Sequence, residues 1–252
     1  MNKSNILFGV AGLFAGLVIS FIVTNALHGG ERAAMSANVA GPGSTPQAVE
    51  AGAGSAAKDP SEAVSDEEIQ GAIAKTDARA EDYALQRNFG LALYQYASQT
   101  RDTRYLPDVA RFLKRAYDND PKDHDLIVSL ANVLFDIGQS SDAASFTEAR
   151  KYYQKALEIK PDDADVRTSL GLTYYFGQPP DAQRAITEYR KSLALDPRHE
   201  PTLQSLASAL ISTGNREEAQ KRIDELQKVN PSNPSLPNLR AQLAQSKNRA
   251  QE

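Results

Sequence analysis

The chain has 252 residues, of which 24% are charged and 41% are hydrophobic, proportions that are ordinary for a globular protein. Its formal net charge of -4 gives no basic footprint for a nucleic acid. The absence of cysteine excludes disulfides, zinc–thiolate sites, iron–sulfur clusters and a thiol nucleophile. The composition changes near Ser65, so only the C-terminal three quarters of the chain is expected to fold.

An apolar segment near the N-terminus is long enough to cross a bilayer. Residues 6–27 carry no charged side chain and begin with the run ILFGVAGLFAGLVISFIV. About 20 residues at ~1.5 Å rise per residue span the ~30 Å core of a membrane, whereas the apolar core of a cleavable signal peptide has about 7 to 15 residues. The segment therefore predicts a transmembrane signal anchor, with cleavage after Ala26 as the alternative.

The residues on either side of this segment predict its orientation. Lys3 lies before it, while Glu31 and Arg32 cancel after it, so the positive-inside rule places residues 1–5 in the cytoplasm. The rest of the chain would lie in the periplasm, held by a single pass through a bacterial inner membrane. Residues 28–64 are rich in Gly, Ala, Ser and Pro and contain no Leu, Ile or Phe, which predicts a flexible linker.

Four prolines mark an internal repeat. Pro121, Pro161, Pro197 and Pro231 each end a helical pattern, at spacings of 40, 36 and 34 residues. In the last unit, apolar residues recur with a helical period on both sides of a break at Gly214. The extra residues of the earlier units fall between the two helical patterns. Each unit is therefore predicted to form a helix, a turn and a second helix that ends before the proline.

These units resemble tetratricopeptide repeats across roughly residues 83–233. The small residues Gly171, Ala207 and Ala219 fall where the two helices of such a repeat cross closely, and a proline closes each unit. The resemblance implies an all-α, right-handed solenoid of about four helix-turn-helix repeats. The apolar segment adds an N-terminal transmembrane helix, and Leu236, Leu239 and Leu243 on one helical face predict a C-terminal capping helix. The predicted segments are an N-terminal helix over 65–82, repeats over 83–123, 124–163, 164–199 and 200–233, and a capping helix over 234–252.

Two positions depart from the family pattern. Gln86 and Arg167 stand where such repeats usually have a large aromatic or apolar side chain, so repeats one and three are expected to pack loosely there. Ser65 and Glu68 form a candidate capping box at the start of the N-terminal helix.

No set of residues in the sequence converges on catalytic chemistry. The histidines are His28 in the linker, and His124 and His199, which follow stop prolines and are expected to lie at solvent-exposed helix starts. The acidic runs that begin at Ser65 and Asp162 open predicted helices, where carboxylates meet the positive end of the helix dipole. The chain is therefore predicted to be no enzyme and to hold no metal or cofactor.

The first helix of each repeat is predicted to line a groove for an extended peptide or an amphipathic helix. The alternative is that these residues pack against neighbouring helices. The resemblance to chaperone-binding members would imply a clamp for a terminal carboxylate, but only Arg87 and Asn132 are suitably placed for one. Asp125, Asp136 and Asp165 oppose a carboxylate in charge. The predicted groove residues are Arg87, Leu91, Tyr94, Asn132, Phe135, Leu172, Tyr175, Ser208 and Ile211.

The sequence predicts a membrane-tethered scaffold or assembly factor that binds protein or peptide partners and no nucleic acid. The resemblance extends to exported bacterial proteins, among them the tetratricopeptide subunits of the cytochrome c haem-lyase system, although no residue selects that pathway. Two alternatives are an accessory subunit of a membrane or cell-envelope complex, and a regulatory partner of a separate enzyme.

Overall fold

The computed structural model describes residues 64–249, so the predicted membrane segment 6–27, almost all of the linker and His28 lie outside the described residues. The described part contains ten α-helices and no β-strand, and none of its helices is long and apolar enough to span a membrane. A 3₁₀ turn, Thr103–Tyr105, precedes the third helix. The helices are α1 (Asp66–Asp77), α2 (Tyr83–Thr100), α3 (Leu106–Asn119), α4 (His124–Ser140), α5 (Ser145–Ile159), α6 (Ala164–Tyr175), α7 (Ala182–Leu195), α8 (Glu200–Ser212), α9 (Arg216–Val229) and α10 (Leu236–Arg249).

The chain divides into two compact units. Unit 1 ends at Ala116 and unit 2 begins at Tyr117, so the boundary falls within α3. Unit 1 contains α1, α2 and most of α3, and unit 2 contains α4 to α10. In unit 2 each helix packs against the next along the chain. The helices that begin each repeat, α4, α6 and α8, also contact one another in order, and α8 contacts α10. We call α4, α6 and α8 the first helices of unit 2, and α5, α7 and α9 its second helices.

Carboxylates and a capping box start several helices. The acidic run before α6 places Asp163 at the N-cap, where its Oδ1 accepts a hydrogen bond from the backbone N–H of Val166 at 2.9 Å. The capping box predicted at Ser65 and Glu68 is present at the start of α1. The acidic residues thus satisfy backbone donors that have no partner inside the helix. Aspartates cap α2, α4 and α7 in the same way, at Asp82, Asp123 and Asp181.

Small residues let the two helices of a repeat approach closely. A Cβ atom added at Gly171 on α6 would lie 2.5 Å from the Tyr189 ring on α7. In unit 1, a Cβ atom at Gly90 would lie 2.8 Å from the side chain of Leu113. Ala207 on α8 is fully buried at the same position of repeat four. Because real Cβ contacts are almost never under 3.0 Å, only hydrogen fits at the two glycines.

The prediction of loose packing at Gln86 and Arg167 was wrong. Gln86 is fully buried, and its Nε2 donates to the carbonyl oxygens of Thr76 at 2.7 Å and Arg79 at 3.0 Å. Arg167 pairs with Glu188 at 3.2 Å, and only 18% of its side chain is exposed. Both polar side chains are accommodated at these positions because partners satisfy their hydrogen-bonding groups.

The prediction that His124 and His199 are solvent-exposed was also wrong. His124 is 8% exposed, and its Nδ1 lies 3.0 Å from a carboxylate oxygen of Asp125. His199 is half-buried, with Nε2 2.9 Å from Asp165 and Nδ1 2.6 Å from the hydroxyl of Thr202. Both histidines begin a repeat, and the start of a neighbouring repeat covers each of them.

A buried cluster of hydroxyl groups joins repeats three and four. The oxygen atoms of Thr168 and Thr202 lie 2.5 Å apart, and Ser192 Oγ lies 3.0 Å and 2.9 Å from them. Thr168 and Ser192 also donate to the carbonyl oxygen of Ala164, at 2.8 Å and 2.9 Å. The cluster contacts His199 through Thr202. It therefore links α6, α7 and α8 through polar contacts that are shielded from water.

An ion-pair network ties α1 to α3 within unit 1. Two arginines on α3, Arg111 and Arg115, each approach Asp77 at 2.7 Å. Partial burial by itself raises the pKa of Asp77, but the hydrogen bonds and charges of the two arginines outweigh it and leave that pKa below its usual value. The network holds the C-terminus of α1 against the first repeat.

The close approach at Gly171 predicts that Gly171→Ala destabilises the protein by about 1–3 kcal/mol, because the added methyl group must push the Tyr189 ring aside. Gly71→Ala is the control, since nothing lies within 4 Å of a Cβ atom there. The control should be neutral or stabilising by up to about 1 kcal/mol through its higher helix propensity. Urea unfolding followed by circular dichroism measures both. Equal stability of the two variants would contradict the close approach.

The Asp77 network predicts a pH-dependent contribution to stability. Because the folded state lowers the pKa of Asp77, the stabilisation is complete above the unfolded-state pKa of about 4 and is lost as the pH falls through the folded-state value. Asp77→Asn should therefore lower the free energy of unfolding at neutral pH by about 1 kcal/mol or less, since the side chain is 34% exposed. The deficit should shrink as the pH falls below the unfolded-state pKa of about 4 and through the lower folded-state value. Glu67→Gln, on the exposed start of α1, is the control and should show a smaller deficit at neutral pH.

Candidate functional site

The predicted groove residues all lie on the helices that begin a repeat, and all are half-buried. Three of them are on α2 in unit 1, and six are on α4, α6 and α8 in unit 2. A single row that continues through all four repeats stays a prediction, and each unit is described by itself. The unit 1 residues are Arg87, Leu91 and Tyr94, and the unit 2 residues are Asn132, Phe135, Leu172, Tyr175, Ser208 and Ile211.

The apolar groove residues of repeats three and four have one side in the core and one side open. Leu172, Tyr175 and Ile211 pack against the hydrophobic cluster formed by α7 to α10, yet each remains half-buried rather than buried. The sequence offered two alternatives for these residues, packing against neighbouring helices and lining a groove. The two alternatives therefore concern different sides of the same side chains. The packed side fixes the orientation of each side chain, and the open side is available for contact.

Aromatic rings meet near the C-terminal ends of α4 and α6. The Phe135 ring centroid lies 5.2 Å from that of Phe146 and 6.2 Å from that of Phe176, in edge-to-face arrangements. Tyr175 contacts Phe176 edge-to-face at 5.2 Å. Such pairs add to the burial of apolar surface. We call Phe135, Phe146, Tyr175 and Phe176 the aromatic cluster.

Phe176 is the functional candidate that sequence reasoning missed. It follows the last residue of α6 and is 46% exposed, the largest exposed fraction among the large hydrophobic residues of the described chain. The signal was available in the sequence, because Phe176 comes directly after the predicted groove residue Tyr175. Its exposed ring extends the apolar surface of the first helices to the turn after α6.

Equivalent tyrosines on two second helices differ in their hydrogen bonds. In repeat two, the Tyr153 hydroxyl donates to Oδ1 of Asn132 at 2.6 Å. In repeat three, Tyr189 occupies the same position, but Leu172 replaces the asparagine. The Tyr189 hydroxyl is buried, and it lies near Tyr175 and Ser205. Burial, together with the charge of Tyr175, raises the pKa of Tyr189, and a hydrogen bond with Ser205 opposes that rise.

Charge is distributed unevenly between the two sets of helices in unit 2. The second helices carry ten basic and seven acidic residues. The first helices carry four acidic residues and one basic residue, Arg167, which is paired with Glu188. The acidic residues of the first helices are Asp125, Asp136, Asp165 and Glu200.

Two of these carboxylates are highly exposed. The side chains of Asp125 and Asp165 are 81% and 84% exposed, and both residues are second in their helices. The hydrogen bond from His124 and the charge of Lys160 lower the pKa of Asp125. Asp125 is therefore negatively charged at neutral pH.

Within residues 64–249 no cluster of three or more His, Asp or Glu side chains is arranged to hold a metal ion.

Known structures with the same fold support the helical assignment. The chain is similar to YrrB, a TPR protein with an unusual peptide-binding site, at 17% identity and a TM-score of 0.54, covering 69% of this chain and 84% of that one. It is also similar to MamA from Desulfovibrio magneticus RS-1 at 17% identity and a TM-score of 0.53, covering 67% and 89%. A third is a thermophilic TPR protein from Thermus thermophilus, at 14% identity and a TM-score of 0.50, covering 71% and 91%. These likenesses show the fold alone.

Sequence comparison adds a curated relative and two family matches. The probable biofilm formation methyltransferase WspC of Pseudomonas putida is 34% identical over 85 residues, which is 34% of this chain and a fifth of the length of that protein. A model described as tetratricopeptide repeat matches residues 180–243, and one described as TPR repeat matches residues 145–175. The matched residues 145–175 and 180–243 lie on α5 to α10, so tetratricopeptide repeats are matched in this part of unit 2.

Proposed function

We propose that this chain is a membrane-tethered interaction module whose tetratricopeptide repeats bind a peptide or protein partner and catalyse no reaction. The observation that carries this proposal is the set of half-buried apolar and aromatic side chains on the first helices of unit 2. Their packed sides fix their positions. Binding of a ligand to the open sides therefore costs little conformational entropy of these side chains. The fold is consistent with a protein–protein interaction scaffold.

The tether is proposed from the sequence. Residues 6–27 are uncharged and long enough for a bilayer, and the lysine before them favours an N-terminus in the cytoplasm. The linker over 28–64 would then hold the repeats clear of the lipid headgroups on the periplasmic side of a bacterial inner membrane. In this position the repeats could gather a partner for a membrane-bound machine.

Several biological roles are compatible with a tethered domain that binds a peptide or protein partner. An assembly factor would hold a client segment, as the resemblance to cytochrome c biogenesis subunits implies, whereas an accessory subunit would remain bound to a membrane or envelope complex. A regulatory partner of a separate enzyme is favoured by one observation, the match of 85 residues to a probable methyltransferase. The identity of the captured partner distinguishes these roles.

The groove proposal predicts position-specific cross-linking. A photoreactive amino acid at Ser208, which is half-buried on α8, should form adducts with a partner in detergent extracts of the native host. The same amino acid at Thr187, exposed on the second helix α7, is the control and should give few adducts. Mass spectrometry of the adducts identifies the partner, for example an apocytochrome or a membrane-complex subunit. Equal adducts at both positions, or none at either, would contradict the groove.

The tether proposal predicts that the full chain stays in the membrane pellet after an alkaline carbonate wash, because a spanning helix resists extraction. Deleting residues 1–27 should release the repeats into the soluble fraction. The intact mass of the purified chain tests cleavage directly. A soluble chain whose mass corresponds to cleavage after Ala26 would overturn the anchor while leaving the repeat domain unaffected.

A further inference from the structure

The exposed side of α4, α6 and α8, here called the first-helix face of unit 2, combines negative charge with aromatic surface. Asp125 and Asp165 project from the starts of two of these helices and are more than 80% exposed. The only basic residue on the three helices, Arg167, is paired with Glu188 and with the carbonyl oxygen of Pro161. Lys160 Nζ lies 3.6 Å from Asp125 and His199 Nε2 lies 2.9 Å from Asp165, so a basic ligand shares these exposed carboxylates with residues of the protein.

Three members of the aromatic cluster lie toward the opposite ends of α4 and α6, while Phe146 is buried on α5. Phe135 lies in the last third of α4, Tyr175 is the last residue of α6, and Phe176 follows it. The face of an aromatic ring attracts a cation as well as an apolar side chain. Basic residues with apolar neighbours are thus the ligand chemistry that both ends of the face share.

We propose that the first-helix face of unit 2 binds an extended peptide segment of another protein in which Lys or Arg side chains alternate with apolar ones. This inference rests on the proposed function and specifies its ligand. The basic side chains pair with Asp125 and Asp165, and the apolar side chains contact the aromatic cluster.

The composition of the chain argues against its own linker as the occupant. Between residues 28 and 63, Asp and Glu outnumber Lys and Arg by four to two, so this segment has the same sign of charge as the face.

The size of the face agrees with a short ligand. Three helices at ~10 Å spacing extend over roughly 20 Å, the length of about six residues in an extended peptide.

The test uses the full chain in a nonionic detergent and two fluorescent, amidated peptides of about ten residues, a length that exceeds the face slightly. One probe alternates Lys with Phe and Leu, and the other has Glu in place of every Lys. Fluorescence anisotropy should show binding of the Lys probe alone, with an affinity that falls as salt rises from about 0.1 M to about 1 M. Equal binding of the Glu probe would overturn the proposal.

Charge-neutral variants locate the contact. Asp125→Asn combined with Asp165→Asn should raise the Kd of the Lys probe about fivefold or more, as expected from the loss of two surface ion pairs. Glu217→Gln combined with Asp224→Asn removes the same charge from the second helix α9 and should leave the Kd unchanged. An equal effect of both pairs would mean that only net charge matters, and would overturn the site.

The remaining outcomes distinguish this inference from the function on which it rests. If the Lys probe does not bind but Ser208 still cross-links to a partner, the ligand chemistry is wrong and the interaction module stands. If neither result appears, both proposals fail. Sedimentation of the wild-type chain tests a second copy as the occupant. If the wild-type chain forms a dimer that dissociates in the Asp125→Asn, Asp165→Asn variant, the occupant of the face is a second copy of the chain and the peptide proposal is overturned.

Discussion

The close approach of the two helices within each repeat is the constraint on which the rest of the structure depends. In repeat three, the Tyr189 ring occupies the space that any side chain at Gly171 would need. This contact sets the distance between α6 and α7, and thereby decides which side chains of α6 enter the core. Leu172 and Tyr175 follow Gly171 along α6 and remain half-buried. The candidate binding surface is thus a by-product of the packing that closes the repeat.

The helices and their repeat could be predicted from the sequence because they depend on local patterns. Stop prolines, a helical period of apolar residues and small residues at the crossings are all visible over a few tens of residues. The polar departures were misread because their environment is set by distant parts of the chain. Gln86 is buried by the end of α1, and His199 is held by Asp165 of the preceding repeat. No periodicity within one helix carries that information.

The candidate site was predictable in position but not in detail. Register along the first helices places every predicted groove residue at a half-buried position, since the same period that defines the core defines its edge. Phe176 was missed because it lies one residue past the end of α6. The segregation of charge between first and second helices emerges only when helices from different repeats are considered together.

The hydroxyl cluster at the junction of repeats three and four affects how this protein can change over evolutionary time. In a simple solenoid each repeat contacts its neighbours through similar apolar surfaces, so whole repeats can be duplicated or deleted. Here Thr168 and Ser192 from one repeat share hydrogen bonds with Thr202 from the next. Inserting an apolar repeat between them would deprive Thr202 of these two partners, whereas Thr168 and Ser192 would keep the carbonyl oxygen of Ala164. We therefore expect changes in repeat number to be tolerated better at other junctions.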